Sequence, residues 1–253
     1  MARTPKLTSS KGIFGFGIVA DIIIGCTCIV LIIIAVSLSR MYFYTQKTDP
    51  TIQEHVYGEY KVLEIRGLLT PQECDEIIAY AQQKGMYESD VLSYGSSSGT
   101  EVMDQYRKSK TAWISDDENP ITMRLALYSE QITGLPRENQ EMLQVAFYEK
   151  NGKFNEHFDA CVFEDKSFCD KMNNNAGQRR STLLIYLNDD FEGGETEFVN
   201  IGLKVKPEKG KAILFWNTDE DENIIQESKH RGNPVISGQK WICTKWSHVS
   251  AFQ

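Results

Sequence analysis

The sequence predicts a mainly β fold with supporting α-helices: a double-stranded β-helix, or jelly roll, preceded by an N-terminal transmembrane helix. Three observations predict it. From Glu141 onward, short apolar runs at Val145–Tyr148, Leu183–Leu187, Ala212–Trp216 and Trp241–Trp246 alternate with Gly-, Asn- and Asp-rich connections. No helical pattern intervenes, which suits two packed sheets of short strands. Upstream lie two helical stripes bounded by capping residues. Before them, Ile22–Leu38 contains no charged residue, which is rare for a helix in a soluble core. With the flanking apolar residues Ile13–Ala20, interrupted by Asp21, the run approaches the ~20 residues that span a bilayer.

The 253 residues allow one large or two small domains. The expected division is a cytoplasmic tail over 1–17, a signal anchor over 18–39, a stem over 40–57 and a catalytic domain over 58–253. The apolar run is long and lacks a small-x-small cleavage site, which argues against a removed signal peptide. Arg3, Lys6 and Lys11 precede it, while Arg40 and Lys47 are followed by Asp49 and Glu54. That bias favours a cytoplasmic N-terminus. The expectation is a single-pass type II protein of the endoplasmic reticulum or Golgi membrane with a lumenal catalytic part; the reversed orientation is the alternative.

Charge follows the same division. Residues 1–40 hold four basic residues and one acid, a net of +3, so the rest of the −8 chain carries −11. An acidic domain argues against nucleic acid as a partner and is compatible with neutral or basic peptides. A solvated acidic surface accounts for it equally well.

Next comes a strand over Tyr60–Ile65, with His55 in the stem before it expected to be exposed. Thr70, Pro71 and Glu73 supply an N-cap, a first-turn proline and a capping box for a helix burying Ile77, Ile78 and Ala81, stopped by Gly85. A second helix from Pro120 puts Ile121, Leu125, Tyr128 and Ile132 on one stripe and ends at Gly134. Ser93–Thr100 between them is too small and polar to pack, and reads as a hairpin connection or mobile loop. Of six cysteines, Cys26 and Cys28 lie in the anchor. Among Cys74, Cys161, Cys169 and Cys243, a Cys161–Cys169 disulfide and buried free thiols both remain open. No CxxC pair points to zinc.

The chemistry centres on His157 and Asp159. In an extended strand, residues two apart share a face, so both side chains project together. Two imidazoles and one carboxylate on one face of a metal describe the site of non-haem Fe(II) oxygenases. With only four histidines in the chain, His230 is the best third ligand. Lys240, ten residues on and just after the Ser237-Gly238 turn, is placed to hold the far carboxylate of an oxo-acid co-substrate. A regular strand would face Lys240, Thr244, Trp246 and His248 to one side. Glu195 and Glu197 are weaker ligand candidates than Asp159, and Gly193-Gly194 reads as a tight turn.

In this context residues from about 60 to 253 resemble the prolyl 4-hydroxylases, especially the membrane-anchored plant and algal type. The resemblance rests on Leu143–Tyr148, His157-Phe-Asp159, Gln178-Arg179, Thr182–Asn188, Gly193–Phe198, Lys211–Trp216, His230, Pro234-Val-Ile, Gly238–Trp241 and Thr244–His248, all in order. It implies Fe(II), 2-oxoglutarate, O2 and ascorbate as cofactors, peptidyl proline as substrate, and succinate and CO2 as co-products. It gives His248 a catalytic role beside the co-substrate. Tyr148 and Thr182 would donate hydrogen bonds to the co-substrate, Arg179 would lie near the peptide groove, and Trp246 would line the site or pack in the core. Plant-type enzymes commonly have Cys where this chain has Asn233, so their disulfide pattern does not transfer. The alternatives are an oxygenase acting on another residue, such as lysine, and a catalytically silent binding protein. Oligomeric state is not legible.

Overall fold

The structure is a computed structural model and describes residues 29–32, 34, 49–89 and 107–252. Most of the expected anchor, the tail, Cys26, Cys28 and the Ser93–Thr100 loop lie outside the described residues. Residues 29–32 and 34 are helical and exposed, and among the described residues no helix is long and apolar enough to cross a membrane. The chain divides into two units, Met1–Thr48 and Asp49–Gln253.

In chain order the elements of the second unit are β1 (Thr51–Tyr57), β2 (Tyr60–Arg66), α1 (Pro71–Lys84), β3 (Tyr87–Glu88), β4 (Arg107–Lys108), β5 (Lys110–Ile114) and α2 (Pro120–Thr133). Then come β6 (Leu143–Tyr148), β7 (Lys153–His157), α3 (Lys166–Met172), β8 (Arg179–Tyr186), β9 (Glu192–Gly193) and β10 (Thr196–Phe198). The last are β11 (Leu203–Val205), β12 (Ala212–Trp216), β13 (His230–Gly232), β14 (Val235–Ser237) and β15 (Lys240–His248). A large sheet runs β1-β2-β12-β8-β15-β6-β5-β3, a smaller one β11-β10-β13-β7-β4, and β14 pairs with β9. All of these pairings are antiparallel.

The large sheet is covered on both faces, which is why its central strands are apolar without alternation. From β8, Leu183 and Ile185 join a core with Ile77 and Ala81 of α1 and Ile121 and Leu125 of α2. Leu184 and Tyr186 point the other way, into a second core with Phe198, Leu203 and Val205 of the small sheet. The jelly roll is therefore two sheets around the second core, with helices backing the first. The capping box of α1 forms as expected: Glu73 N–H donates to Thr70 Oγ1 at 3.2 Å and Thr70 N–H donates to Glu73 Oε2 at 2.8 Å.

One boundary needs correction. The expected stem does not reach Tyr57, because Thr51–Tyr57 forms the edge strand β1, joined to β2 through Gly58 with φ 62°. Its one-sided, polar-rich pattern carries little burial signal. His55 is accordingly not a free stem residue: its Nε2 lies 2.8 Å from Glu64 Oε1, and Lys211 Nζ donates to Glu64 Oε2 at 3.1 Å. Burial works against the Glu64 carboxylate, but these two partners outweigh it and hold the pKa below its ordinary value.

Candidate active site

Pairing of β7 with β13 builds the centre of the site. His157 ends β7, His230 begins β13, and the two stand directly opposite in the ladder. Their imidazole centroids are 4.3 Å apart. Asp159, two residues beyond His157, brings Oδ1 to 3.4 Å from His157 Nε2 and 3.9 Å from His230 Nε2. One ligand atom from each of the three residues lies within 4.8 Å of the others.

The surroundings prepare these groups for a cation. His157 Nδ1 is 2.7 Å from the Asn155 carbonyl and His230 Nδ1 is 2.9 Å from that of Ser228, so each Nδ1 carries the proton and each Nε2 lone pair faces inward. Phe154 stacks on His157 at 3.6 Å, and Phe198 and Phe215 flank His230. Burial, reinforced by the neighbouring His157, pushes His230 down to about 4 and keeps it neutral. For Asp159, burial opposes ionisation, but His230, His157 and Arg179 outweigh it and hold the carboxyl well below the usual carboxylate range. Asp159 Oδ2 accepts hydrogen bonds from Thr182 Oγ1 at 2.6 Å and Trp246 Nε1 at 3.0 Å. Those bonds turn the other oxygen, Oδ1, toward the imidazoles. Two imidazoles with inward-facing Nε2 atoms and one oriented carboxylate fit a divalent iron and leave its remaining positions open.

Across the same cavity Lys240 opens β15 opposite Tyr148 of β6. It is 2% exposed, forms no ion pair with a carboxylate among the described residues, and has its Nζ 5.2 Å from the Tyr148 ring centroid and 5.8 Å from that of Tyr186. Burial pushes its pKa down to about 7. Such a costly ammonium suits an anionic ligand. Gly194, at φ 66°, makes room for the lysine stem, since a Cβ there would lie 3.0 Å from Lys240 Cδ.

His157, Asp159, His230, Lys240, Tyr148, Thr182 and Trp246 thus line one cavity. His248 does not, and its expected place beside the co-substrate needs correction. It is fully buried, with Nδ1 3.0 Å from the Gly177 carbonyl and Nε2 2.9 Å from Glu141 Oε1. The β15–β8 register slips between Ser247 and His248, leaving Arg180 as the extra residue on β8 and setting Arg179 opposite His248. His248 sits at the far end of β15, beyond Trp246, where its ring meets Glu141 instead of the cavity. Arg179 grips Glu141 with two hydrogen bonds, at 2.5 and 3.0 Å, and lays its guanidinium 3.9 Å from the Trp246 ring centroid. It therefore reaches the site through Trp246. Thr182 is likewise reassigned, because its hydroxyl proton goes to Asp159. Glu197 turns to Arg231 and Asn233, and Asn233 also contacts Glu195. The Cys161–Cys169 disulfide forms two residues past Asp159, while Cys74 and Cys243 are free and buried.

The cavity also takes in Arg107, Gln144 and Thr244. Gln144 shares strand parity with Tyr148, so extending that parity along β6 would have found it. Arg107 has no such signal: it arrives from a two-residue strand paired to β7, where it donates to Gln144 Oε1 at 2.8 Å.

Similar sequences and folds are found among known proteins. Residues 143–248 match the 2OG-Fe(II) oxygenase superfamily. A putative prolyl 4-hydroxylase of Acanthamoeba polyphaga mimivirus is 36% identical over 218 residues, covering 86% of this chain and 83% of the relative. Prolyl 4-hydroxylase 2 of Arabidopsis thaliana is 33% identical over 226 residues, covering 81% of this chain and 72% of the relative. The crystal structure of a viral collagen prolyl hydroxylase from Paramecium Bursaria Chlorella virus-1, as its 2OG complex, superposes with a TM-score of 0.60 at 29% identity, covering 75% of this chain and 96% of that one. With the ligand cluster, the buried lysine and these likenesses together, the chain belongs to the prolyl 4-hydroxylase-like 2OG-Fe(II) oxygenase family.

Proposed function

We propose that this protein hydroxylates peptidyl proline to 4-hydroxyproline, converting 2-oxoglutarate and O2 to succinate and CO2, with ascorbate sustaining turnover. The observation that carries the reading is the convergence of His157 Nε2, Asp159 Oδ1 and His230 Nε2 across a cavity from Lys240, a buried ammonium in no ion pair among the described residues. Bound Fe(II) supplies the redox chemistry that couples decarboxylation of the oxo acid to oxygen insertion into a C–H bond. The protein's part is placement. His157, Asp159 and His230 hold the metal while leaving positions open, and Lys240 pairs with the distal carboxylate. Trp246, Arg179 and the neighbouring cavity rim are the proposed peptide contacts.

Incubating (Pro)n and (Gly-Pro-Pro)n peptides with the protein, Fe(II), 2-oxoglutarate and ascorbate tests this by mass spectrometry. The expected result is one added oxygen per modified proline, with matching succinate. Modification of lysine peptides alone would overturn the proline assignment.

The plant- and algal-type likeness extends the proposal to location: one N-terminal membrane helix, with the catalytic unit in the lumen of the secretory pathway. The apolar Ile22–Leu38 run and the basic residues ahead of it support this. Carbonate extraction should leave the full chain in the pellet. Protease added to intact microsomes should spare the catalytic unit, and its digestion without detergent would reverse the orientation.

A further inference from the structure

Asp159 presents one oxygen to the imidazoles because the other is held by two donors, and the two donors differ in kind. The Trp246 indole N–H can only donate, so its bond is unconditional. The Thr182 hydroxyl has one proton and two acceptor lone pairs, so its direction depends on a third group. That group is Asn217, whose Nδ2 donates to Thr182 Oγ1 at 2.8 Å. With a donor aimed at its oxygen, the hydroxyl must spend its proton elsewhere, and Asp159 Oδ2 lies 2.6 Å away.

The fold fixes Asn217 for this task. It follows β12 directly, and its backbone is clamped on both sides: its N–H donates to the Arg180 carbonyl and its carbonyl accepts from Ile225, both at 2.9 Å. In the β12–β8 register Phe215 stands opposite Thr182. Asn217, two residues on, is Thr182's diagonal neighbour on the same inward face, within side-chain reach. The residue is fully buried, yet its Oδ1 has no hydrogen-bond partner among the described residues. A buried amide kept for packing normally has both ends satisfied; here only the end that faces Thr182 is engaged.

We infer that Asn217 is a positioning residue for the metal site, acting through Thr182 to set the Asp159 carboxylate with Oδ1 alone toward the two imidazoles. The inference rests on the metal-binding role proposed for His157, Asp159 and His230. Loss of the amide frees the Thr182 hydroxyl to rotate and the carboxylate to swing. Metal affinity should fall, and the carboxylate should shift between one-oxygen and two-oxygen contact.

Co(II), which binds such ligands without turnover, is the probe. Wild type, Asn217→Leu, Asn217→Ala, Thr182→Val and Thr182→Ser would be titrated by calorimetry and by the visible d–d absorption of bound Co(II), which reports coordination number. Loss of an outer-sphere partner typically costs about 10–100-fold in metal affinity, and that drop, with an altered d–d spectrum, is expected for Asn217→Leu. Asn217→Ala carries the same test should the leucine fail to fold, as judged by near-UV circular dichroism. Added to Thr182→Val, the Asn217 substitution should have no further effect; added to Thr182→Ser, which keeps the hydroxyl, it should retain its full effect. Wild-type Co(II) affinity and spectrum in a folded Asn217 variant would overturn the inference, as would independent effects of the Asn217 and Thr182→Val changes. A wild-type chain that binds no Co(II) would instead overturn the metal site itself, and this inference with it.

Discussion

Lys240 shows how far one residue's environment can be tuned for a ligand. Its ammonium is buried with aromatic rings for neighbours, and burial brings its pKa from the ordinary lysine value of 10.5 down to about 7. A carboxylate delivered beside it reverses that penalty. Truncating one partner of a buried charge pair costs ~2–5 kcal/mol. At ~1.4 kcal/mol per tenfold, Lys240→Ala should weaken 2-oxoglutarate binding by roughly 30-fold to several thousand-fold. Lys240→Arg should recover only part of it, because the guanidinium is larger and flat. A 2-oxoglutarate titration of uncoupled decarboxylation measures both, and an unchanged half-saturation in Lys240→Ala would remove the residue from the site. The same burial gives a pH signature. The free protein binds the co-substrate best with Lys240 protonated, so affinity should be highest below about pH 7 and fall as the pH rises above it. Calorimetry across that value should show the decline, and Lys240→Met should flatten it.

At the scale of elements, the ladder between β7 and β13 does what no single residue can, setting His157 against His230 from positions far apart in the chain. The segment after β7 is held by different means. Gln178 accepts from Cys161 N–H at 2.8 Å and donates to the Cys161 carbonyl at 3.0 Å, while the disulfide ties Cys161 to Cys169 at the buried face of α3. Closing so short a loop stabilises by about 2–3 kcal/mol in the chain-entropy picture. Replacing both cysteines with serine should lower the unfolding free energy by about that amount in a denaturant titration. Because Gln178 still clamps the backbone beside Asp159, Co(II) affinity should stay close to wild type. A large loss of metal with little loss of stability would show that the disulfide, and not Gln178, sets the Asp159 segment.

Over the whole molecule, the described members of both hydrophobic cores lie in the unit that starts at Asp49. A chain beginning there should fold, remain in the supernatant after carbonate extraction and unfold in one cooperative transition followed by circular dichroism; aggregation or a non-cooperative melt would contradict it. Much of this architecture is legible in the sequence by itself. Local rules set the capping box of α1, the apolar stripe of α2, the short-strand pattern after Glu141 and the shared face of His157 and Asp159, because each depends on neighbours a few residues away. The His230–Lys240 spacing marks the remaining ligand and the lysine for the same reason. Tertiary structure alone decided the rest. Contact with Glu141 at the far end of β15 took His248 out of the cavity lining, pairing with β2 made a strand of Thr51–Tyr57 at the end of the expected stem, and a two-residue strand carried Arg107 into the site. Hydrogen bonds across three separate segments assigned the Thr182 proton to Asp159 and put Asn217 behind it. Each of these depends on which strands become neighbours and in what register, and that is fixed by the packing of the whole sheet rather than by any local run of residues.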